Sequence, residues 1–463
     1  MRVEKDLLGE MEIPEEAYWG IHTARSVLGM SVSGCRVSLP LVRAMAVVKS
    51  AAARVNAELG FLPPSHADAI VQACDEVTSG FLDAEFRVDA LQGGAGTSTH
   101  MNVNEVVAAR ASEILGGTRG DRALVSPLEH VNMHQSTNDV YPTALRLAAI
   151  HLLRDVASSV ASLQGALQRK EKEFARIVKV GRTELQEAVP MTLGQEFGGY
   201  AEAIARDRWR TFKCEERLRV VNLGGTAIGT GLTAPRDYIF RVVDKLRDLT
   251  AVGFARGENL TGETAHSDAL VEVSGILKAL AANLVKISGD LRMLNMLGEI
   301  TLPAVQAGSS IMPGKVNPVV CEMVAQVGLK VMANDFLIAD CASRGSFQIN
   351  EFLPLIAHSL LESLELLKRG CDAFSGMVSG ITGNAETCQR YLQRSDAIIT
   401  VLVPVLGYER CSSLVVEYRK SATSAPLSLY QFLCEKLGVS VVDDACRPES
   451  VLMLGHRMKR NSL

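Results

Sequence analysis

The run Gly308-Ser309-Ser310-Ile311-Met312-Pro313-Gly314-Lys315-Val316-Asn317-Pro318 places two serines, a lysine and an asparagine on one segment punctuated by two glycines and two prolines. Lys315 and Asn317 are donors of the kind a carboxylate takes. They precede a segment of helical pattern, whose N-terminal dipole also favours anions. The glycines give the segment freedom to close over a ligand and exclude water. A plain surface loop before a helix has the same look, so the run needs company. Residues 92–104, 134–142, 181–194, 222–235 and 306–318 supply it: all carry Gly, Ser, Thr or Asn and, apart from 181–194 with Arg182, Glu184 and Glu187, are nearly free of charge. Such segments build no core, but they present hydroxyl, amide and backbone N–H donors.

Other suggestive patterns fail on chemical grounds. Gly229-Thr230-Gly231 and Gly94-Ala95-Gly96 lack the preceding strand and the strand–helix alternation of a dinucleotide site. Residues 308–315 have one residue too many for a phosphate loop, and Val316 stands where a magnesium-binding Ser or Thr is needed. His130 and His134 have i,i+4 spacing but no Glu between them and no evident third ligand, so they read as ordinary polar or core histidines. Cys321, Cys341 and Cys371 fall on helical patterns as small core residues.

Long helices must position these loops. In 143–178, Leu145, Leu147, Ile150, Leu152, Leu153, Val156, Val160, Leu163 and Leu167 recur at the three-and-four spacing of a helix stripe. Residues 267–296, 318–342 and 350–377 repeat the pattern, with Pro318 and Pro354 near starts, where proline is tolerated. Helices of this length pack as an antiparallel bundle, and their apolar faces predict oligomerisation. The segment from Arg394, with Pro404, Gly407 and Pro426, reads as a small C-terminal domain. The expected division is 1–138, 139–393 and 394–463, in a mainly all-α chain.

Composition bounds the rest. The 463 residues carry a formal charge of −4, with 47% apolar and 22% charged residues. That suits a globular protein with a sizeable core and not a nucleic-acid binder, which shows a basic surplus. The uncharged run 220–235 is Gly-rich and falls short of the roughly 18 apolar residues of a membrane span. The N-terminus has acids where a signal peptide has its apolar region. Ten scattered cysteines without a Cys-x-x-Cys pair predict reduced thiols and a cytoplasmic location.

The 308–318 run resembles the signature loop of the aspartase/fumarase superfamily. Five further stretches agree: Glu4–Gly9 through Tyr18–Thr23, Gly93–Ser98, Gln135–Asp139, Met191–Phe197 and Asn222–Gly231. The resemblance covers nearly the whole chain. His22-Thr23, Gln195-Glu196-Phe197 and Asn222-Leu223-Gly224 are more similar to the aspartate ammonia-lyase branch than to class II fumarases. The resemblance implies a three-domain fold with a central bundle of long helices, assembled as a homotetramer whose active sites draw loops from three subunits. It implies elimination of ammonia, water or a larger amine from a succinyl group to leave fumarate, with no metal and no organic cofactor needed for the chemistry. By matched position, Ser309 is the catalytic base. Thr97, Ser136, Thr137 and Ser310 surround the carboxylate that becomes an enediolate, and Lys315 and Asn317 hold the other. Asn138 and Thr183 contact the amine, and Met312 and Glu184 complete the substrate-binding set.

The chemistry suits these residues. A proton beside a carboxylate is very weakly acidic, so fixed donors must stabilise the enediolate. A serine base must act as an alkoxide, its pKa lowered by donors in a dry site. Three departures stand out. Glu184 follows Thr183 where relatives carry His or Gln, and Glu322 matches the acid that pairs with that His, so two carboxylates are brought into question at one place. The run through Asn295-Met296 lacks a Gly-Pro-Arg-containing insertion. Val403 replaces an Asn before Pro404. The leading expectation is reversible anti elimination of ammonia from L-aspartate. The alternatives are a fumarate hydratase, a lyase for an N-substituted aspartate, and a catalytically silent structural homologue.

Overall fold

The computed structural model describes residues 1–421, 427–453 and 455, so Pro426 lies outside the described residues. Helices dominate, and every sheet among the described residues has two strands. The predicted long helices are found as Thr137–Glu173, Asp268–Met296, Val319–Ser343 and Leu353–Ser379. The first starts before its apolar stripe and carries Pro142 inside it. Proline has no N–H for the carbonyl four residues back. That carbonyl, Asn138 O, instead accepts from Asn222 Nδ2 at 2.9 Å. The 222–231 segment is therefore tied to the start of this helix by a backbone group that proline leaves unmatched.

The chain divides into two compact units: Met1–Ala157, Trp209–Ala281 and Leu329–Lys368 form one, and Ser158–Arg208, Ala282–Gly328 and Arg369–Leu463 the other. In the first, helices Leu39–Glu58, Pro64–Ser79 and Thr97–Ile114 pack through Ala-rich faces. Leu41, Val42, Met45, Val48, Ala52 and Val55 are buried along Leu39–Glu58. Lys49 and Asn56 lie in the same core and are equally buried, which the apolar pattern did not announce.

In the second unit, residues 181–194 are not the simple loop their composition suggests. Val178–Thr183 pairs antiparallel with Gln186–Thr192. Glu184 and Leu185, both at positive φ (51° and 63°), form the two-residue turn, the backbone signature of a tight hairpin. Glu299 anchors this hairpin. Fully buried, it sits 2.8 Å from Lys179 Nζ and 2.7 Å from Arg182 Nη1. Lys179 also reaches Glu196 at 2.6 Å. Glu299 arrives there through a left-handed turn at Gly298 (φ 72°). The Gly298 and Glu299 amides donate to Asn295 O and Leu294 O, both at 3.0 Å, a glycine C-terminal cap. This cap closes the Asp268–Met296 helix. Ile398, Leu402, Leu414, Phe432 and Leu433 form a separate small core nearer the C-terminus. All ten cysteines are unpaired, and Cys321, Cys341 and Cys371 are buried as expected.

Candidate active site

Thr97, Ser136, Thr137 and Asn138 belong to the first unit. Ser136 to Asn138 form the entry to the Thr137–Glu173 helix, and Asp139 fixes that entry. Its Oδ1 accepts from the Ser136 amide at 3.0 Å, while its Oδ2 accepts from the Gly224 and Thr226 amides at 3.0 and 2.9 Å. Burial outweighs these donors and pushes the Asp139 carboxyl up to about 6. Gly96 seats the adjacent turn. Its φ is 99°, and a Cβ there would lie 2.3 Å from the Tyr141 ring.

The polarity of each side chain follows from its partners. Ser136 Oγ accepts from the Asn138 amide at 3.2 Å, which leaves its hydrogen to donate outward. Asn138 Nδ2 donates to Ala227 O at 2.7 Å, which leaves its Oδ1 as an acceptor. Thr97 Oγ1 donates to Gly94 O at 2.8 Å, so its hydrogen is turned inward. Thr137 Oγ1 lies 2.8 Å from His100 Nδ1, and His100 Nε2 lies 2.7 Å from Lys49 Nζ. Burial pulls Lys49 down to about 7. Burial, and after it the charge of Lys49, hold His100 well below the usual imidazole range.

Thr183, Glu184, Ser309, Ser310, Met312, Lys315 and Asn317 belong to the second unit. Thr183 ends the first hairpin strand, with Glu184 exposed at the tip. The 308–318 loop folds back on itself. The Gly308 amide donates to Lys315 O at 2.8 Å, and Asn317 Nδ2 donates to Gly308 O at 2.8 Å. A Cβ on Gly308 would sit 2.6 Å from Lys315 O, so this closure requires glycine. Ser309 Oγ accepts from the Ile311 and Met312 amides at 3.2 and 2.9 Å. Donors to an oxygen favour its charged form. Ser310, Met312 and Lys315 are exposed, as is Ile311, with 84% of its surface free. Beyond the loop, Glu322 lies 3.7 Å from Arg292, a cation on the neighbouring helix.

Sequence reasoning missed Lys49, His100 and Glu299. Only a buried polar residue within an apolar stripe marks Lys49, and nothing local marks the other two. His130 and His134 prove to be hydrogen-bonded polar residues, to the Ser126 amide and to Asn56 Oδ1. Among the described residues no cluster of three or more His, Cys, Asp or Glu could hold a metal ion, and no helix is long and apolar enough to cross a membrane.

The family model described as lyase matches residues 9–333. An aspartate ammonia-lyase from Helicobacter pylori is 42% identical over 462 residues, covering 98% of this chain and 98% of that protein. A class II fumarate hydratase from Thermosynechococcus vestitus is 42% identical over 420 residues, covering 89% and 90%. A solved structure of a fumarate lyase:delta crystallin from Brucella melitensis, bound to cobalt, is 43% identical. It covers 98% of this chain and 100% of its own, with a TM-score of 0.92.

Proposed function

This chain belongs to the lyase family that holds the aspartate ammonia-lyases and class II fumarases, and from that premise we propose that it eliminates ammonia from L-aspartate to give fumarate, reversibly. Ser309, as alkoxide, takes the proton from the carbon beside one carboxylate. The resulting enediolate is held by Ser136, Thr137 and Ser310, and by Thr97 once its hydroxyl turns from Gly94 O to the substrate. Lys315 and Asn317, with Met312 against them, hold the second carboxylate. The electron pair of the enediolate then forms the double bond as the carbon–nitrogen bond breaks, and ammonia departs past Asn138, Thr183 and Glu184.

The observation that carries this reading is Ser309 Oγ accepting two backbone N–H groups, from Ile311 and Met312. Those donors stabilise an alkoxide and so address the weakness of serine as a base. Ammonia rather than water is supported by the acceptors left for the leaving group: Asn138 Oδ1, whose amide nitrogen is already engaged, and the exposed Glu184 carboxylate. An ammonium needs acceptors.

The same proposal includes a homotetramer with sites shared between subunits, and domains 1–138, 139–393 and 394–463. Leu329 and Phe336, one heptad apart on the Val319–Ser343 helix, are 58% and 74% exposed in the single chain. Apolar side chains so exposed on a long helix are what an assembly interface covers. Sedimentation would read the state directly.

A hydratase is the second reading, favoured by class II fumarases at the same level of identity as the ammonia-lyases. Proton NMR of fumarate incubated with the purified protein, with and without ammonium, separates them. Aspartate formed only with ammonium is the expected result. Malate in both tubes overturns it for the hydratase, and neither product points to a bulkier amine or to lost catalysis.

A further inference from the structure

Lys49 is a fully buried ammonium whose hydrogen-bond partners carry no negative charge. Its partners are neutral: His100 Nε2 at 2.7 Å, Gln135 Oε1 at 3.1 Å and Asn132 Oδ1 at 3.5 Å. Two other titratable groups face it. Cys74, on the Pro64–Ser79 helix, is pushed by burial up to about 12 and is an uncharged thiol at neutral pH. Asp139, on the Thr137–Glu173 helix, already serves three backbone amides. A buried cation without a dedicated counter-charge is costly unless something supplies one.

The polarity of the chain from Lys49 outward is fixed by what each group can do. An ammonium donates and never accepts. His100 Nε2 must therefore accept, which places the imidazole proton on Nδ1. That proton donates to Thr137 Oγ1 at 2.8 Å. With an inward bond accepted, the hydroxyl hydrogen of Thr137 is left to point outward. We propose that Lys49 and His100 are positioning residues that form a directional hydrogen-bond relay, fixing Thr137 as a donor to the substrate carboxylate and bringing the Lys49 charge to bear on it. The inference rests on the reading of Thr137 as a carboxylate ligand. It makes the incoming dicarboxylate the missing counter-charge. Loss of the Lys49 proton lets the amine accept from Nε2–H, which reverses the relay and turns the Thr137 hydrogen inward.

Two measurements test this. The first is the ¹⁵N spectrum of histidine-labelled protein, with His100 assigned by its loss in His100→Asn. A neutral ring protonated on Nδ1 is expected at pH 6; a proton on Nε2, or an imidazolium, overturns the relay. This readout needs no turnover. The second is the affinity for succinate, a dicarboxylate with no leaving group, as a function of pH. The parent should lose affinity as pH rises from 6 through the lysine's titration near 7, a range in which Asp139, at about 6, becomes ionised and its hold on the Ser136 amide only strengthens. Lys49→Met should bind about ten- to a hundredfold more weakly at pH 6, with that pH dependence gone. In a Thr137→Ala background Lys49→Met should add nothing. A full additional loss there, or an unchanged pH profile in Lys49→Met, refutes the relay. Failure of the parent to bind succinate, or an unaffected Thr137→Ala, sinks the assignment of Thr137, and with it the relay's role in binding. The ring tautomer then still reports separately whether the chain is oriented as described.

Discussion

Replacing Glu299 by Gln removes one charge and almost no volume, so it isolates the electrostatics of the hairpin anchor. In the parent, two cations, Lys179 and Arg182, face two anions, Glu196 and Glu299, and Glu299 and Lys179 are essentially without solvent. After the change, Lys179 keeps Glu196, while Arg182 loses its ion pair and the new amide nitrogen must face one of the two cations. Breaking a buried pair by removing one partner costs about 3–5 kcal/mol. The lower figure suits a site where Arg182 is partly open to water. Three kcal/mol is roughly a hundredfold in a local opening equilibrium. Hydrogen exchange of the peptide covering 178–192 should therefore accelerate about a hundredfold. Peptides from the Leu39–Glu58 helix should be unchanged. Because Thr183 and Glu184 stand at the hairpin's end, KM for an amino-dicarboxylate should rise more than kcat falls. Adding Arg182→Gln removes the orphaned cation and should recover much of the protection. Acceleration below about tenfold, or equal acceleration in both regions, would refute the electrostatic anchor.

Further outcomes follow from the same geometry. Lys49 carries a folded-state pKa of about 7, below the ordinary 10.5, so the native state is penalised below pH 7 and relieved as pH rises from about 7 toward 10.5. Lys49→Met should accordingly raise thermal stability at pH 6 by about 3 kcal/mol, with the gain shrinking by pH 10, as melting curves at both pH values would show. Gly308→Ala drives a methyl against Lys315 O, so turnover should fall at least about tenfold while the melting temperature stays within about 2 °C, measured by steady-state kinetics and calorimetry. Ser309→Ala should reduce turnover by about a thousandfold or more with succinate affinity within about threefold of the parent, and retained turnover would remove Ser309 from the role of base.

Much of the architecture was legible because helix periodicity is local. Leu145 to Leu167 announces a stripe whatever surrounds it, and the helix found there runs Thr137–Glu173. The hairpin was hidden because residues 181–194 combine Gly, Pro and polar residues, which read as loop until Lys179 and Arg182 find Glu299. The site was half legible. Ser309, Lys315 and Asn317 sit in one short run whose composition marks it. Thr183 and Glu184 could be named by matched position alone, since nothing in their own segment distinguishes them from any polar turn.

The amino-acid sequence by itself determined the helical class, the polar uncharged loops and the lyase family, because periodicity, composition and contiguous motifs survive without a third dimension. The tertiary structure alone decided which way each donor points. Lys49 and His100 are 51 residues apart, and His100 and Thr137 are 37 apart. Read singly, they are an ordinary lysine, histidine and threonine. Only burial, which strips Lys49 of water, and contact at 2.7 and 2.8 Å turn them into a chain with a direction, because a donor's orientation is set by its partner and not by its neighbours in sequence.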